Sequence, residues 1–173
     1  MNASDTRERL LDAAQQLFVE RGIDATSLRN ITTEAGANLA SVNYHFGTKD
    51  ELIRAVFARH LTPLNQERIR LLNDLENKSG PNALPLEAIL NAFLKPTFEM
   101  RQNPKSREFV CLLGRVLTES NDLKVIILQQ FREVQQRYFS ALQRTLPDLP
   151  LIDLTWRVHF VICAMAHPQA MPA

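Results

Sequence analysis

The chain has 173 residues, enough for one compact domain or for a small domain fused to a larger one. A hydrophobic content of 45% supports a buried core and excludes wholesale disorder. Net charge is +1, and the first 54 residues hold six Lys/Arg against eight Asp/Glu, so bulk basicity is no argument for nucleic-acid binding. Cys111 and Cys163 each sit in an apolar run without a C-x-x-C partner, which predicts buried free thiols in a reducing compartment. The start "MNASDTRERLLDAA" does not read as a signal peptide, and no uncharged apolar stretch approaches the ~20 residues that span a bilayer. The expectation is a cytoplasmic protein without a membrane partner.

The hydrophobic period is helical almost throughout, which predicts an all-α fold. Leu10, Leu11, Ala14, Leu17 and Phe18 form one stripe of a first helix. Asp5 and Glu8 read as its capping box, and Gly22 as its stop. Thr26 fits the N-cap of a short helix, "SLRNITTEA", with Leu28 and Ile31 inward. Gly36 breaks it, Asn38 caps "LASVNYHF", and Gly47 ends that segment. "TKDE" (Thr48 to Glu51) starts a helix with Leu52, Ile53, Val56 and Phe57 on one face. Pro63 predicts a kink or a new helix there. "NKSGPNALP" reads as a loop, followed by helices over about 86–102, 105–119 and 121–145. "PDLP" breaks the chain again before a last helix of about 151–167.

Residues 26–46 spell helix, glycine-containing turn, short helix, the pattern of a helix-turn-helix whose second helix enters the DNA major groove. Ala40, Val42 and Phe46 are candidates for the inner side of that second helix. Asn43 can pair bidentately with adenine, Ser41 can reach a base edge or phosphate, and Leu39 can pack on a thymine methyl. Tyr44 and His45 can donate to phosphate oxygens or can serve packing and capping within the domain. Backbone amides after Thr26 and Thr48, with Lys49, can also hold phosphates. Arg29, beside the joint, is open between phosphate contact and solvated surface. The candidate DNA-facing set is therefore Thr26, Ser27, Arg29, Asn38, Leu39, Ala40, Ser41, Asn43, Tyr44, His45, Thr48 and Lys49.

The run "RERLLDAAQQLFVERGIDATSLRNITTEAGANLASVNYHFGTKDELIRAVF", residues 7–57, resembles the N-terminal domain of the TetR/AcrR family of bacterial transcriptional regulators. The matching pieces are the Phe and Gly closing the first helix, the "EAG" turn, the short helix ending in His-Phe, and "GTKDEL". Asn43 departs from the aromatic residue many members carry, which points to a different operator. "LASVNYHFGTKDELIRAVFARHLTPLN" and "LTWRVHFVICAMAH" are similar to the fatty-acid-responsive, PsrA-like branch. The resemblance implies a helix-turn-helix domain over 1–47 and a helical ligand-binding and dimerisation domain over 48–173. It further implies a homodimer on a palindromic double-stranded operator, released by a small hydrophobic effector such as a fatty acyl compound.

Apolar residues of the later helices form the candidate pocket: Leu94, Phe98, Phe109, Leu112, Leu113, Val116, Ile127 and Phe131. Pro96 and Gly114 favour space between packed helices, although such residues are also what a plain core requires. Arg115, within "LLGRVL", can anchor a carboxylate or an acyl-carrier phosphate, or can lie on the solvated side. His60, His159 and His167 show no metal-ligand spacing, and no catalytic motif is present, so no enzyme, metal or cofactor is expected. Members of the resembling family end in two long helices that build a four-helix dimer bundle. Here "AMAHPQAMPA" follows the penultimate one, so the chain reads as truncated after 167 and lacking the final dimer helix. A truncated subunit that pairs with full-length relatives is the alternative expectation.

Overall fold

A computed structural model describes residues 3–80, 82–102, 104–119 and 121–170. The described residues are helical with no strand, and the chain divides into two compact units, Met1–His60 and Leu61–Ala173. The boundary falls inside a helix rather than at the Gly47 turn, because α4 (Lys49–Ser79) contributes to both units.

In the first unit, α1 (Ala3–Arg21) ends at Gly22, whose φ of +85° is open to glycine at no steric cost. The helix starts ahead of Asp5, so Asp5 lies within its first turn and pairs with Arg9 at 3.7 Å instead of capping. Helix α2 (Leu28–Glu34) is capped by Ser27 rather than Thr26. Ser27 Oγ accepts from the Asn30 N–H at 3.2 Å, and Asn30 Oδ1 accepts from the Ser27 N–H at 3.0 Å. Thr26 is 1% exposed, and its hydroxyl donates to the Gly22 carbonyl at 2.7 Å, with the Leu17 carbonyl at 3.3 Å. Two adjacent hydroxyl residues compete for one cap, and the one that reaches the end of α1 is taken out of the competition.

Asn38 caps α3 (Leu39–His45), accepting from the Ser41 N–H at 2.8 Å, and Thr48 Oγ1 accepts from the Glu51 N–H at 3.2 Å at the start of α4. The α1 stripe Leu10, Leu11, Ala14, Leu17 and Phe18 is buried, as are Ile31, Val42, Leu52, Ile53, Val56 and Phe57. Each such side chain contributes roughly 1.5–3 kcal/mol relative to exposure. Arg59 of α4 reaches Asp12 and Gln15 of α1 at 2.6 and 2.7 Å, and His60 Nε2 lies 2.8 Å from Gln15 Oε1. Pro63 neither ends nor restarts the helix: α4 runs unbroken for 31 residues, with Leu61 and Leu64 buried beside the proline. One intrahelical hydrogen bond is lost there, and side-chain burial offsets it.

The second unit adds α5 (Leu86–Gln102), α6 (Pro104–Glu119), α7 (Asn121–Leu128), a 3₁₀ turn (Gln129–Phe131), α8 (Arg132–Thr145) and α9 (Leu151–Ala170). The expected 121–145 helix is thus interrupted by a 3₁₀ turn, and α9 continues past Pro168. Helix α5 packs on α6 and α8, and α9 packs on α6. One core cluster contains Leu72, Leu84, Ile89, Ala92, Val134, Tyr138, Ala141, Leu142 and Leu154. Arg137 and Arg144 of α8 both pair with Glu76 of α4. Cys111 is half-buried and Cys163 is exposed, contrary to the expectation of two buried thiols. The apolar run around Cys163 wraps all sides of α9, so hydrophobicity alone did not mark its buried side. No helix among the described residues is long and apolar enough to cross a membrane.

Two outcomes follow from this packing. Thr26→Val should lower unfolding free energy by about 1–2 kcal/mol, because it leaves a buried carbonyl without its donor, while operator affinity of the folded variant stays at the parent level; a DNA defect with no loss of stability would contradict the placement. Burial and the neighbouring Arg59 hold the His60 imidazole down from 6.5 to about 4. In that window the unfolded chain takes up a proton that the folded chain does not, so stability is lost as pH falls. His60→Gln should lack this component. The stability gap between parent and variant, from urea curves at pH 7.5, 6 and 5, should shift against the parent as pH drops; a constant gap would contradict it.

Candidate nucleic-acid interface

The joint between α2 and α3 is built by backbone geometry and by one arginine. Gly36 has φ +57°, the Ala37 N–H donates to the Thr32 carbonyl at 2.9 Å, and residues 35–38 join the two helices. Arg9 of α1 donates from Nη1 to the Ala35 carbonyl at 3.1 Å and clamps this turn. Arg7 lies over the Phe46 ring, 5.5 Å from its centroid. Neither arginine stands out in the sequence, because their partners are a carbonyl and a ring more than 25 positions away. Val42 is fully buried and Phe46 nearly so, which seats α3 by two residues.

Ala40 is not a third inner residue: it is exposed, beside Leu39, Asn43 and Tyr44. Helical spacing puts these four at i, i+1, i+4 and i+5, on one outward face. Tyr44 is 80% exposed and Leu39 45% exposed, unusual values for an aromatic and an aliphatic side chain on so short a helix. The Asn43 amide is exposed and has no hydrogen-bond partner among the described residues. Asn38 is exposed, but its Oδ1 accepts from both the N–H and the hydroxyl of half-buried Ser41. His45, also half-buried, packs edge-on against Tyr44 with ring centroids 4.9 Å apart.

The flanking candidates divide in the same way. Ser27, Arg29 and Thr48 are exposed, and Arg29 has no acidic partner among the described residues. Thr26 is buried, and its N–H donates to the Ile23 carbonyl at 3.2 Å. Lys49 Nζ donates to the same carbonyl at 2.9 Å, bracing the α1–α2 loop. Helix α3 carries no Asp, Glu, Lys or Arg. Four of the eight acids of this unit are paired on α1 and α4: Asp5 with Arg9, Glu8 with Arg7 and Arg59, Asp12 with Arg59, and Glu51 with Arg54. These pairs lie on α1 and α4, and none of them involves α3.

Two cavities of the second unit are formed by described residues. One, of about 420 Å³, lies along α4 and the start of α8, lined by Thr62, Asn65, Ile69, Gln130 and Val134 among others. The other, of about 540 Å³, is apolar and lies among α5, α8 and α9, lined by residues including Ile89, Phe93, Tyr138, Phe139, Leu142 and Val158. Of the expected pocket, Leu94, Phe98, Phe109, Leu112, Leu113, Val116, Ile127 and Phe131 line neither. Phe109, Leu112, Leu113, Val116 and Ile127 are buried, Leu94 and Phe131 are half-buried, and Phe98 is exposed. The side chain of Arg115 lies outside the described residues. Helical spacing marks an apolar face, but only the facing helix decides whether that face closes on itself or leaves space.

Residues 10–56 match the family described as bacterial regulatory proteins, tetR family, and residues 91–172 match the tetracyclin repressor-like C-terminal domain. The HTH-type transcriptional regulator SrpR of Pseudomonas putida is 39% identical over 62 residues, covering 36% of this chain and 29% of that protein. The nicotine-responsive transcriptional repressor HdnoR of Paenarthrobacter nicotinovorans is 38% identical over 73 residues, covering 42% of this chain and 38% of that protein. The likeness thus spans less than half the length of these relatives. Among solved structures, NalD, the secondary repressor of the MexAB-OprM multidrug efflux pump in Pseudomonas aeruginosa, superposes with a TM-score of 0.70 at 20% identity, over 98% of this chain and 86% of that one. The SmeT–triclosan complex gives 0.63 at 25% identity over 86% and 71%. With both of its domains matched and the fold shared, this chain belongs to the TetR family of bacterial regulators.

Proposed function

We propose that this chain is a DNA-binding transcriptional repressor that acts as a homodimer and leaves its operator when a small hydrophobic effector binds. The observation that carries the reading is the outer face of α3. Leu39, Asn43 and Tyr44 are exposed, the Asn43 amide has no partner among the described residues, and the helix carries no Asp, Glu, Lys or Arg. Asn43 reads adenine, Leu39 and Ala40 pack on thymine methyls, and Tyr44 and Arg29 hold phosphates. Ser27 and Thr48 offer their hydroxyls at the rim, and Asn38, Ser41 and His45 hold the helix in shape beside the base edges.

One short helix reads only a few base pairs, so two copies must present their α3 helices about 34–36 Å apart. The row Leu151, Ile152, Trp156 and Phe160 on α9 is exposed, with Trp156 and Phe160 stacked at 6.0 Å. Covering such a row with its copy removes apolar area from water and sets that spacing. The effector occupies the apolar cavity among α5, α8 and α9, and a fatty acyl chain suits its lining. Helix α4, the element common to both units, transmits the change, which can be no larger than the effector's differential affinity for the two states. That SmeT was solved with triclosan and that HdnoR is named nicotine-responsive supports a small-molecule trigger.

Fluorescence anisotropy with an operator selected from random duplexes tests the reading head. Asn43→Ala should weaken operator binding by about 1–3 kcal/mol and leave random DNA nearly unchanged, whereas Arg29→Ala should weaken both and reduce the salt slope by about 1. Parent-like behaviour of both variants would sink the assignment. Light scattering tests the dimer: the parent should run at twice the chain mass, and Trp156→Glu combined with Phe160→Glu should run at once that mass with its helical content intact. A parent that is monomeric alone yet pairs with a longer family member would replace the homodimer by an interaction subunit.

A further inference from the structure

Arg68 of α4 is 1% exposed and is the largest fully buried side chain among the described residues. Its Nε donates to the Phe93 carbonyl at 3.0 Å, Nη1 to Asn65 Oδ1 at 3.2 Å, and Nη2 to Thr97 Oγ1 at 2.7 Å. Its Cζ lies 4.1 Å from the centre of the Phe93 ring, and its own carbonyl accepts from the Tyr138 hydroxyl at 2.7 Å. All three side-chain acceptors are neutral, and no carboxylate pairs with the guanidinium among the described residues. A guanidinium has five N–H donors, so one on each terminal nitrogen is left without an acceptor. Burial lowers the group only to about 10, so the positive charge persists at neutral pH.

If the task were only to tie α4 to α5, a neutral amide or a thioether would do so with less desolvation. What a guanidinium adds is a fork of parallel donors for the two oxygens of a carboxylate. The surroundings name the rest of the ligand. Phe93 and Tyr138, which flank Arg68 and meet edge to face at 5.2 Å, also line the apolar cavity of about 540 Å³. The Phe93 ring belongs to both places: it lines the cavity and lies against the guanidinium. Two remaining N–H groups match the two oxygens of one carboxylate.

We propose that Arg68 is the anion anchor of the effector site, and that the ligand is a monocarboxylate on an apolar body lying in the α5–α8–α9 cavity. This rests on that cavity being the effector site. On binding, the carboxylate accepts from the remaining N–H groups in the guanidinium plane, and Phe93 moves to let it reach them. Arg68 also holds Asn65, whose Nδ2 donates to the Gln130 carbonyl at 2.9 Å, so the 3₁₀ turn before α8 is tied to the same group.

Calorimetric titration of the full chain with decanoate and with 1-decanol tests the anchor. The parent should bind decanoate about tenfold or more tightly than the alcohol. Arg68→Met should keep alcohol binding and lose the preference, and Arg68→Lys should retain part of it. Equal affinity of the parent for the two probes, or a preference that survives in Arg68→Met, overturns the anchor while leaving the cavity assignment standing. Binding of neither probe overturns the cavity reading and the anchor with it. Should Arg68→Met fail to fold, the parent decides alone: the carboxyl carbon of bound [1-¹³C]decanoate should titrate below that of the free acid, and titration at or above it overturns the proposal.

Discussion

Helices α2 and α3 have seven residues each, far short of the ~12–15 at which an isolated helix persists in water. The reading head therefore depends on the burial of Ile31, Val42 and Phe46, and on the hydrogen bonds that lock the joint between the helices. The same constraint releases the outer face. Because two buried residues suffice to seat α3, Leu39 and Asn43 are left exposed, and Tyr44 keeps only an edge contact with His45, so these residues can be chosen for what they touch outside the protein. Lys49 illustrates the opposite allocation: a cation next to the head that serves the Ile23 carbonyl.

The second unit is organised around a charge rather than around an apolar stripe. Arg68 draws acceptors from α4 and α5, and Tyr138 of α8 returns a hydrogen bond to its carbonyl. Leu72, Ile89, Val134 and Leu142 supply the apolar packing of the adjoining core. Hydrophobic burial holds these helices together but is indifferent to small slips. A guanidinium with named acceptors at 2.7–3.2 Å is not, which is how one buried polar group can set register within a largely apolar unit.

Electrostatics of the head reconcile an acidic segment with a DNA-facing role. Four of its acids are held by arginines on α1 and α4, and α3 itself carries no acid. Net charge averages over surfaces that a partner never meets. Affinity for phosphate needs only a few cations, and Arg29 is an exposed cation that no acid occupies among the described residues.

By itself the sequence determined what a few contiguous residues decide. The 3.6-residue period located the helices, Gly22, Gly36 and Gly47 marked turns that need positive φ, and Asn38 and Thr48 marked helix starts. Part of the outward set on α3 was legible for the same reason: Leu39, Asn43 and Tyr44 are exposed, whereas Ser41 and His45 are half-buried. Only the tertiary structure decided matters that turn on partners far along the chain. It chose Ser27 over Thr26 as a cap, carried α4 through Pro63, and put Ala40 outside. It buried Arg68 against residues 25 to 70 positions away. It also packed Phe109, Leu112 and Ile127 into core and opened an apolar cavity among α5, α8 and α9 instead. Periodicity states which face of a helix is apolar. Whether that face meets a matching surface, a ligand or a second chain depends on the shape of what packs against it, and a local pattern contains no term for that.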